Sequence, residues 1–440
     1  MGTMNETSTD IETLLDRPFG CWRLMVFLLC GLVMAIEGFD MYMIGAIVPA
    51  LAGGLGVSPA AISAVFVAQG IGLALGYVLI SPFADRVGRR PVILLCVAGF
   101  GLLTLATTQV TTLTQLSVLR FAAFVFFGGV VPNTISLVSE VSALGVRSRN
   151  VVLLNACFAF GAAMGSALAP LLVDGFGWQG VFWAGGLAPL AMFPVLWVLL
   201  PESPRFLVVR QRPAAEIRKV LARIAPEAAS LDRFTTLEPP AGKVPLAALF
   251  SGGQLANTLL FALAGGMMML VGNLVASWAP TYWYTLSGFT MAEAAGLFAL
   301  SSIGAIGWPF VMIGLIKWIG LQRALIGCYA LGSVSMLVFA IEPFTPPLAA
   351  FLAIAYGAFV VGAISGLYAL IAAAYPTHMR ATALGWTSGL GRLLSIAGPA
   401  LGGFMLAEAY GQLAIALVFA VPLALAGIAI IAVRPQRSAT

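Results

Sequence analysis

The sequence predicts an all-α membrane protein of twelve transmembrane helices in two pseudo-symmetric six-helix bundles. Three observations lead there: the scarcity of charge, the lengths of the apolar runs, and landmarks that repeat at one offset. Only 9% of the 440 residues are charged and 60% are hydrophobic, whereas an ordinary soluble domain carries roughly 25% charged residues. The mean hydropathy is +1.01. Too little polar surface remains to cover a water-soluble core, so lipid is the solvent. The 49 glycines and 25 prolines fall within apolar runs rather than polar linkers, which suits close contact between membrane helices.

Apolar stretches near the ~20-residue length that crosses a bilayer fall at 22–51, 59–81, 91–109, 114–139, 151–173 and 179–200. A second set falls at 256–285, 291–316, 323–341, 347–374, 381–407 and 411–433. The first run is too long for the apolar core of a cleavable signal peptide and follows a polar, acidic start, so it reads as span 1. The halves are therefore 1–200 and 250–440, joined by a polar segment, 201–249. That segment carries a short amphipathic helix near 214–225, with Ile217, Val220, Leu221 and Ile224 apolar.

Charge placement supports this map. Arg17 and Arg23, Arg86, Arg89 and Arg90, Arg147 and Arg149, the basic central segment, Lys317 and Arg323, Arg380, and Arg434 and Arg437 all fall on one side. The opposite connections hold only the acids Asp174, Glu293, Glu342 and Glu408. Positive residues stay cytoplasmic, so both termini and the central segment are expected inside. The net charge of +5 then reflects topology and no nucleic-acid partner. Pro49 and Pro280, Gly88 and Gly320, and Arg147 and Arg380 repeat at offsets of 231, 232 and 233 residues, which points to two parallel halves with a cavity between them.

Enzyme chemistry is not indicated. Five scattered cysteines include no CxxC pair, so neither a disulfide framework nor a metal site is supported. There is one His, and no H-E-x-x-H, G-x-S-x-G or G-K-[ST] occurs. No cofactor is expected.

Between spans 2 and 3 runs Ser81-Pro-Phe-Ala-Asp85-Arg86-Val-Gly88-Arg89-Arg90-Pro91. Asp85 can face a helix N-terminus or Arg147, and the arginines can meet helix C-termini or anionic lipid. The stretch resembles the G-x-x-x-D-R-x-G-R-R signature loop of the major facilitator superfamily, with Ser81 for the first Gly. The resemblance implies a latch that stabilises the outward-open state. The second-half copy is degenerate, with Lys317 where Asp85 would recur. Arg120 ahead of Gly128-Gly129, Gly161 and Gly165, Gly398-Pro399 and Gly402-Gly403, and Pro201-Glu-Ser-Pro-Arg205 extend the likeness.

Span 1 narrows the family. Glu37-Gly38-Phe39-Asp40 sets two carboxylates three residues apart, on roughly one helix face. Each ionised acid at mid-membrane costs about 2.5–3.5 kcal/mol on insertion scales. The pair therefore demands an aqueous cavity, an arginine partner or protonation, and a desolvated acid holds its proton near neutral pH. The motif resembles the D/E-G-x-D of the aromatic acid:proton symporter family, carriers of 4-hydroxybenzoate, protocatechuate and hydroxyphenylpropionate. Glu37 stands for the commoner Asp, as in the hydroxyphenylpropionate branch. Val131-Pro132-Asn133-Thr134, Ser139-Glu140, Gly177-Trp178-Gln179 and Tyr375-Pro376-Thr377-His378-Met379-Arg380-Ala381-Thr382, leading into Gly385-Trp386 and Gly391-Arg392, continue it.

The resemblance implies proton-coupled import of an aromatic carboxylate across the inner membrane of a bacterium, and a monomer is expected. The rivals are a carrier of another organic anion or sugar-like acid, and an efflux antiporter of the same superfamily. Arg120 in span 4 and Arg392 in span 11 stand inside the membrane in opposite halves, which marks both as functional candidates. Arg392 is expected to receive the substrate carboxylate, because guanidinium clamps it bidentately. Arg120 pairs with Asp40 or Glu37, the proton-coupling acids, or supports the substrate from the other half. Phe39, Tyr42, Tyr368 and Trp386 are candidates to stack a ring. Gln69, Asn133 and Asn273 serve a ring hydroxyl or helix packing equally well. Trp278, Tyr282, Trp283 and Tyr284 read as an interfacial belt. Asp85, Arg86, Arg89, Arg90, Glu140, Arg147, His378 and Arg380 are assigned to gating.

Overall fold

The computed structural model of the chain describes residues 9–17, 20–231, 233–236, 249–250, 254–341, 345–375 and 379–433. His378 and the side chain of Arg380 lie outside the described residues. The spans are α1 (Cys21–Leu55), α2 (Pro59–Val87), α3 (Arg89–Gln109) and α4 (Leu113–Val141). Gly145–Leu199 then runs as a single stretch of 55 residues, about 80 Å at 1.5 Å per residue and far longer than a bilayer. Gly177, at φ 68°, breaks it into α5 (145–176) and α6 (178–199). The second half follows as α7 (Leu255–Ser287), α8 (Met291–Ile319), α9 (Leu321–Ala340), α10 (Pro346–Ala374), α11 (Thr382–Ala407) and α12 (Gln412–Ala432). The twelve predicted spans are all present.

Small residues decide how these helices pack, and they do so identically in both halves. A Cβ added to Gly38 of α1 would stand 2.0 Å from the Phe158 carbonyl of α5, and one on Gly161 1.9 Å from that of Ala35. The same seam recurs between α7 and α11, where Gly398 abuts the Leu270 carbonyl. Gly76 and Gly128 join α2 to α4, as Gly304 and Gly357 join α8 to α10. Gly101 and Gly186 seat α3 on α6, and Gly427 seats α12 on Tyr329 of α9. Gly88 and Gly320 adopt the same backbone, φ 110°, ψ 160° and φ 83°, ψ 158°, a region open essentially to glycine alone. The duplication seen at three sequence landmarks is thus a duplication of contacts.

Those seams are tight enough to test. Gly161→Val forces a side chain into backbone that cannot retreat, so almost no monodisperse protein should survive detergent extraction on a sizing column. Gly175→Ala, where nothing lies within 4 Å of the added carbon, should elute as the parent does. Equal recovery of the two variants would show that α1 and α5 can separate without penalty.

One expectation fails here. Trp278, Tyr282 and Trp283 are 0–2% exposed and form no interfacial belt; only Tyr284 of that cluster is exposed. The physical reason is polar satisfaction inside the second half: Trp278 Nε1 donates to the Pro399 carbonyl and Tyr282 Oη to that of Gly402, each at 2.8 Å. The surface facing lipid is carried instead by side chains such as Leu28, Val78, Val198, Phe310 and Trp318.

Among the described residues the halves meet at α2/α11, α1/α7, α5/α8 and α1/α8. Down the α2/α11 seam Gly403 approaches Ser63, Gly70 approaches Ile396, and Arg392 lies over Tyr77. Gly45 of α1 backs onto Ala276 and Ser277 of α7, and Ser302 Oγ of α8 donates to the Ala159 carbonyl of α5 at 3.0 Å. These contacts lie at mid-depth and toward the end remote from the chain termini. At the near end, residues preceding α1 fold onto the central segment. Thr9–Asp10 pairs in parallel with Phe234–Thr235, Ile11, Leu14 and Leu15 pack on Leu207, Val208, Ile217 and Leu221, and Arg205 grips Glu12 at 2.7–2.8 Å. The predicted amphipathic helix spans Ala214–Leu221.

Candidate functional site

Asp40 and Arg120 meet in the middle of the first half, both 0% exposed. Arg120 Nη1 donates to Asp40 Oδ1 at 3.2 Å and Nη2 bonds Oδ2. Nη1 also reaches Thr104 Oγ1 of α3 at 3.2 Å. The Gln69 carboxamide of α2, with its oxygen turned to the guanidinium, accepts from Nη2 at 2.9 Å and Nε at 3.1 Å. Phe124 and Phe182 cover the cation, 5.0 and 5.5 Å from ring centroid to Cζ. Gly185 of α6 makes room, since a Cβ there would sit 3.1 Å from Asp40 Oδ1. A guanidinium has five N–H donors, and all five are engaged. Of the roles open to Arg120, the structure selects pairing with Asp40.

Glu37, one turn earlier, is differently placed. It is 2% exposed, and among the described residues neither carboxyl oxygen has a hydrogen-bond partner. It borders a small cavity walled by Val33, Ile36, Val97, Phe100, Pro189 and Met192. Two acids on nearly one face thus occupy opposite environments, one saturated by an arginine and one facing apolar side chains.

Across the seam, Arg392 of α11 is half-buried, and its Cζ lies 4.2 Å from the Tyr77 ring centroid. Among the described residues its guanidinium has no hydrogen bond or ion pair. Its helix is pinned from behind: Asn273 Nδ2 donates to Ser395 Oγ at 3.0 Å, and Ser395 Oγ donates to the Arg392 carbonyl at 2.7 Å. Tyr368 stands within electrostatic reach of Tyr77, which gathers Tyr77, Tyr368, Asn273 and Arg392 in one region. Tyr42 of α1 stacks on Phe298 with centroids 6.3 Å apart and meets the Tyr356 phenol, so it too bridges the halves. Phe39 is partly buried against the same core. Asn133 bonds its own helix at the Gly129 carbonyl, 2.6 Å away, and Trp386 meets Phe250 edge-on at 5.7 Å. Neither joins the Asp40 cluster.

The loop between α2 and α3 builds a charge cluster. Arg89 bridges Asp85 at 2.9 Å and Glu140 of α4 at 3.0 Å; Arg86 is exposed. Asp85 pairs with Arg89, and Arg147 is not without a partner of its own. Glu202, unassigned in the sequence reading, is the hub: its Oε1 accepts the backbone N–H of Arg89, Arg90 and Ser203 at 2.9, 3.3 and 2.8 Å. Burial pushes the Glu202 carboxyl up, while those N–H groups and Arg89 hold it down. A Cβ on Gly88 would strike Glu202 Oε2 at 2.1 Å, a second reason for glycine there. The signal for Glu202 was its place in Pro201-Glu-Ser-Pro-Arg205. Tyr77 and Thr104 left none, being single polar side chains inside apolar spans.

Comparison with known proteins agrees with this geometry. Residues 30–397 match the model of the Major Facilitator Superfamily. A gallate transporter of Pseudomonas putida is 34% identical over 96% of this chain and 94% of its own. A 4-hydroxybenzoate transporter of Pseudomonas aeruginosa is 33% identical over 96% and 95%. In fold, the chain superposes on a crystal structure of a D-xylose-proton symporter with a TM-score of 0.73, at 16% identity, covering 94% of this chain and 98% of that one. The duplicated twelve-span architecture, the charge cluster after α2 and these relatives agree: the chain belongs to the Major Facilitator Superfamily and is a membrane transporter, not an enzyme.

Proposed function

We propose that the chain imports an aromatic carboxylate together with protons, by alternating access between the halves 1–200 and 250–440, which the cytoplasmic central loop 201–249 joins. It works as a monomer in the inner membrane of a bacterium, with both termini in the cytoplasm. The observation that carries this reading is the contrast between the two intramembrane arginines. Arg120 is saturated within its own half, whereas Arg392 keeps its donors unengaged at the seam between halves. An unengaged guanidinium at mid-membrane is a receptor for an anion. The named substrates of the relatives, gallate and 4-hydroxybenzoate, are aromatic carboxylates.

With the termini inside, the contacts between halves close the outer end, so the conformation reads as inward-facing. In the outward-facing form a proton enters at the Glu37/Asp40 pair and the substrate carboxylate docks on Arg392, with Tyr42, Phe39, Tyr368 and Trp386 bordering its path. Asn273 and Gln69 hold the two arginines in place, and Asn133 braces α4. The halves then rock. The cluster of Asp85, Arg86, Arg89, Arg90, Glu140 and Arg147 re-forms at each cycle, and His378 and Arg380 are assigned to the same gating. An anion moves into a negative cell, so more than one proton per substrate is needed for the membrane potential to assist loading.

The test is accumulation of labelled 4-hydroxybenzoate and gallate in proteoliposomes of the full chain. An imposed inward proton gradient should raise the internal concentration above the external one. Equal accumulation without any proton or charge gradient would overturn the mechanism.

A further inference from the structure

We propose that Tyr77 is the positioning residue of the anion site, holding Arg392 from the opposite half with its N–H edge presented to the substrate carboxylate. The inference rests on Arg392 being that receptor and adds the residue that orients it.

The geometry is a ladder of three rungs between α2 and α11. Gly403 against Ser63 comes first, then Gly70 against Ile396, and last Arg392 over Tyr77. The first is backbone-tight, since a Cβ on Gly403 would lie 2.4 Å from Ser63 Cβ. The second is tight against a side chain, with a Cβ on Gly70 falling 3.1 Å from Ile396 Cγ1. Only the third joins a charge to a ring. A long side chain with several rotatable bonds has to be held to form a site, and among the described residues the Tyr77 ring face is what holds this guanidinium.

A cation over a ring is attracted by the ring quadrupole without using any N–H donor. The π-face therefore restrains the guanidinium while leaving its donors for a bidentate bond to carboxylate. A carboxylate partner in place of Tyr77 would restrain Arg392 equally well, but it would occupy those donors, as Asp40 does on Arg120. The two arginines thus show both ways of holding a buried cation, and only the aromatic way leaves an anion receptor.

The experiment measures binding of 4-hydroxybenzoate and of the neutral analogue 4-hydroxybenzamide to the purified full chain by calorimetry. Tyr77→Phe, which keeps the ring, should bind the acid within about threefold of the parent. Tyr77→Leu should bind it about tenfold more weakly, a change of about 1.4 kcal/mol, with affinity for the amide unchanged. A purely structural role would weaken acid and amide together and lower the melting temperature in detergent, and that result would overturn the proposal. So would parental binding by Tyr77→Leu, or loss in Tyr77→Phe equal to that in Tyr77→Leu. Arg392→Ala separates the layers. If it binds the acid normally, the receptor assignment fails and this inference falls with it. If Arg392→Ala loses the acid while Tyr77→Leu does not, only the role of Tyr77 fails.

Discussion

Replacing Arg120 by Ala is expected to destabilise the protein by about 3–5 kcal/mol, the usual result of stripping the partner from a buried charge. Asp40 would be left 0% exposed with its two guanidinium bonds gone. Gln69 and Thr104 would lose the donors they now accept. Transport should vanish with it. The informative comparison is the double variant Asp40→Asn/Arg120→Gln, which removes both charges and keeps polar groups at both positions. Removing a whole buried pair is often close to neutral for stability, so the double variant should melt well above Arg120→Ala while remaining inactive. Thermal unfolding in detergent and uptake by vesicles are read on the same preparations, as a double-mutant cycle. A single Arg120→Ala variant as stable as the parent would show that the pair is not a structural element of the first half.

Much of this could be read before any coordinates. Twelve spans, the sidedness of charge and the internal repeat follow from lipid as solvent, because a membrane helix must be apolar over its whole length. Asp40, Arg120 and Arg392 were legible for the same reason, since a charge inside such a run stands out against its background. What could not be read is partner choice. Glu37 and Asp40 are equivalent in sequence, three residues apart, yet Gly185 opens a space for Asp40 beside Arg120 while Glu37 borders a cavity with apolar walls. Trp278 and Tyr282 look interfacial by composition and are buried because carbonyls of α11 accept their donors. Tyr77 carries no charge and breaks no pattern, so only the seam between halves reveals its contact with Arg392.

That asymmetry between the two acids yields the second large effect. Glu37→Gln is expected to abolish gradient-driven accumulation while preserving exchange of labelled for unlabelled substrate across vesicles. The reasoning starts from the cost of charge. An ionised carboxylate with no partner in an apolar, buried position costs several kcal/mol, and Glu37 has no partner on either oxygen. Asp40, by contrast, has both oxygens bonded by the Arg120 guanidinium. On the proposed mechanism, Glu37 is the acid that takes up and gives back the proton, and Asp40 the fixed counter-ion. Glutamine keeps the volume and neutral polarity of the protonated acid but cannot release a proton, so the loaded carrier still crosses in both directions. Exchange needs only that crossing. Net accumulation needs the proton to leave inside, and it should fall by at least about tenfold, a change of roughly 1.4 kcal/mol in the coupled step. The parent's uptake should fall as external pH rises, because fewer carriers load a proton, whereas the residual uptake of Glu37→Gln should not respond to pH. Both readouts use vesicles of the same lipid composition, with inside and outside pH set independently. If Glu37→Gln accumulates substrate as the parent does, the proton travels elsewhere. Asp40 then becomes the carrier, and the Arg120 pair must open during the cycle rather than persist through it.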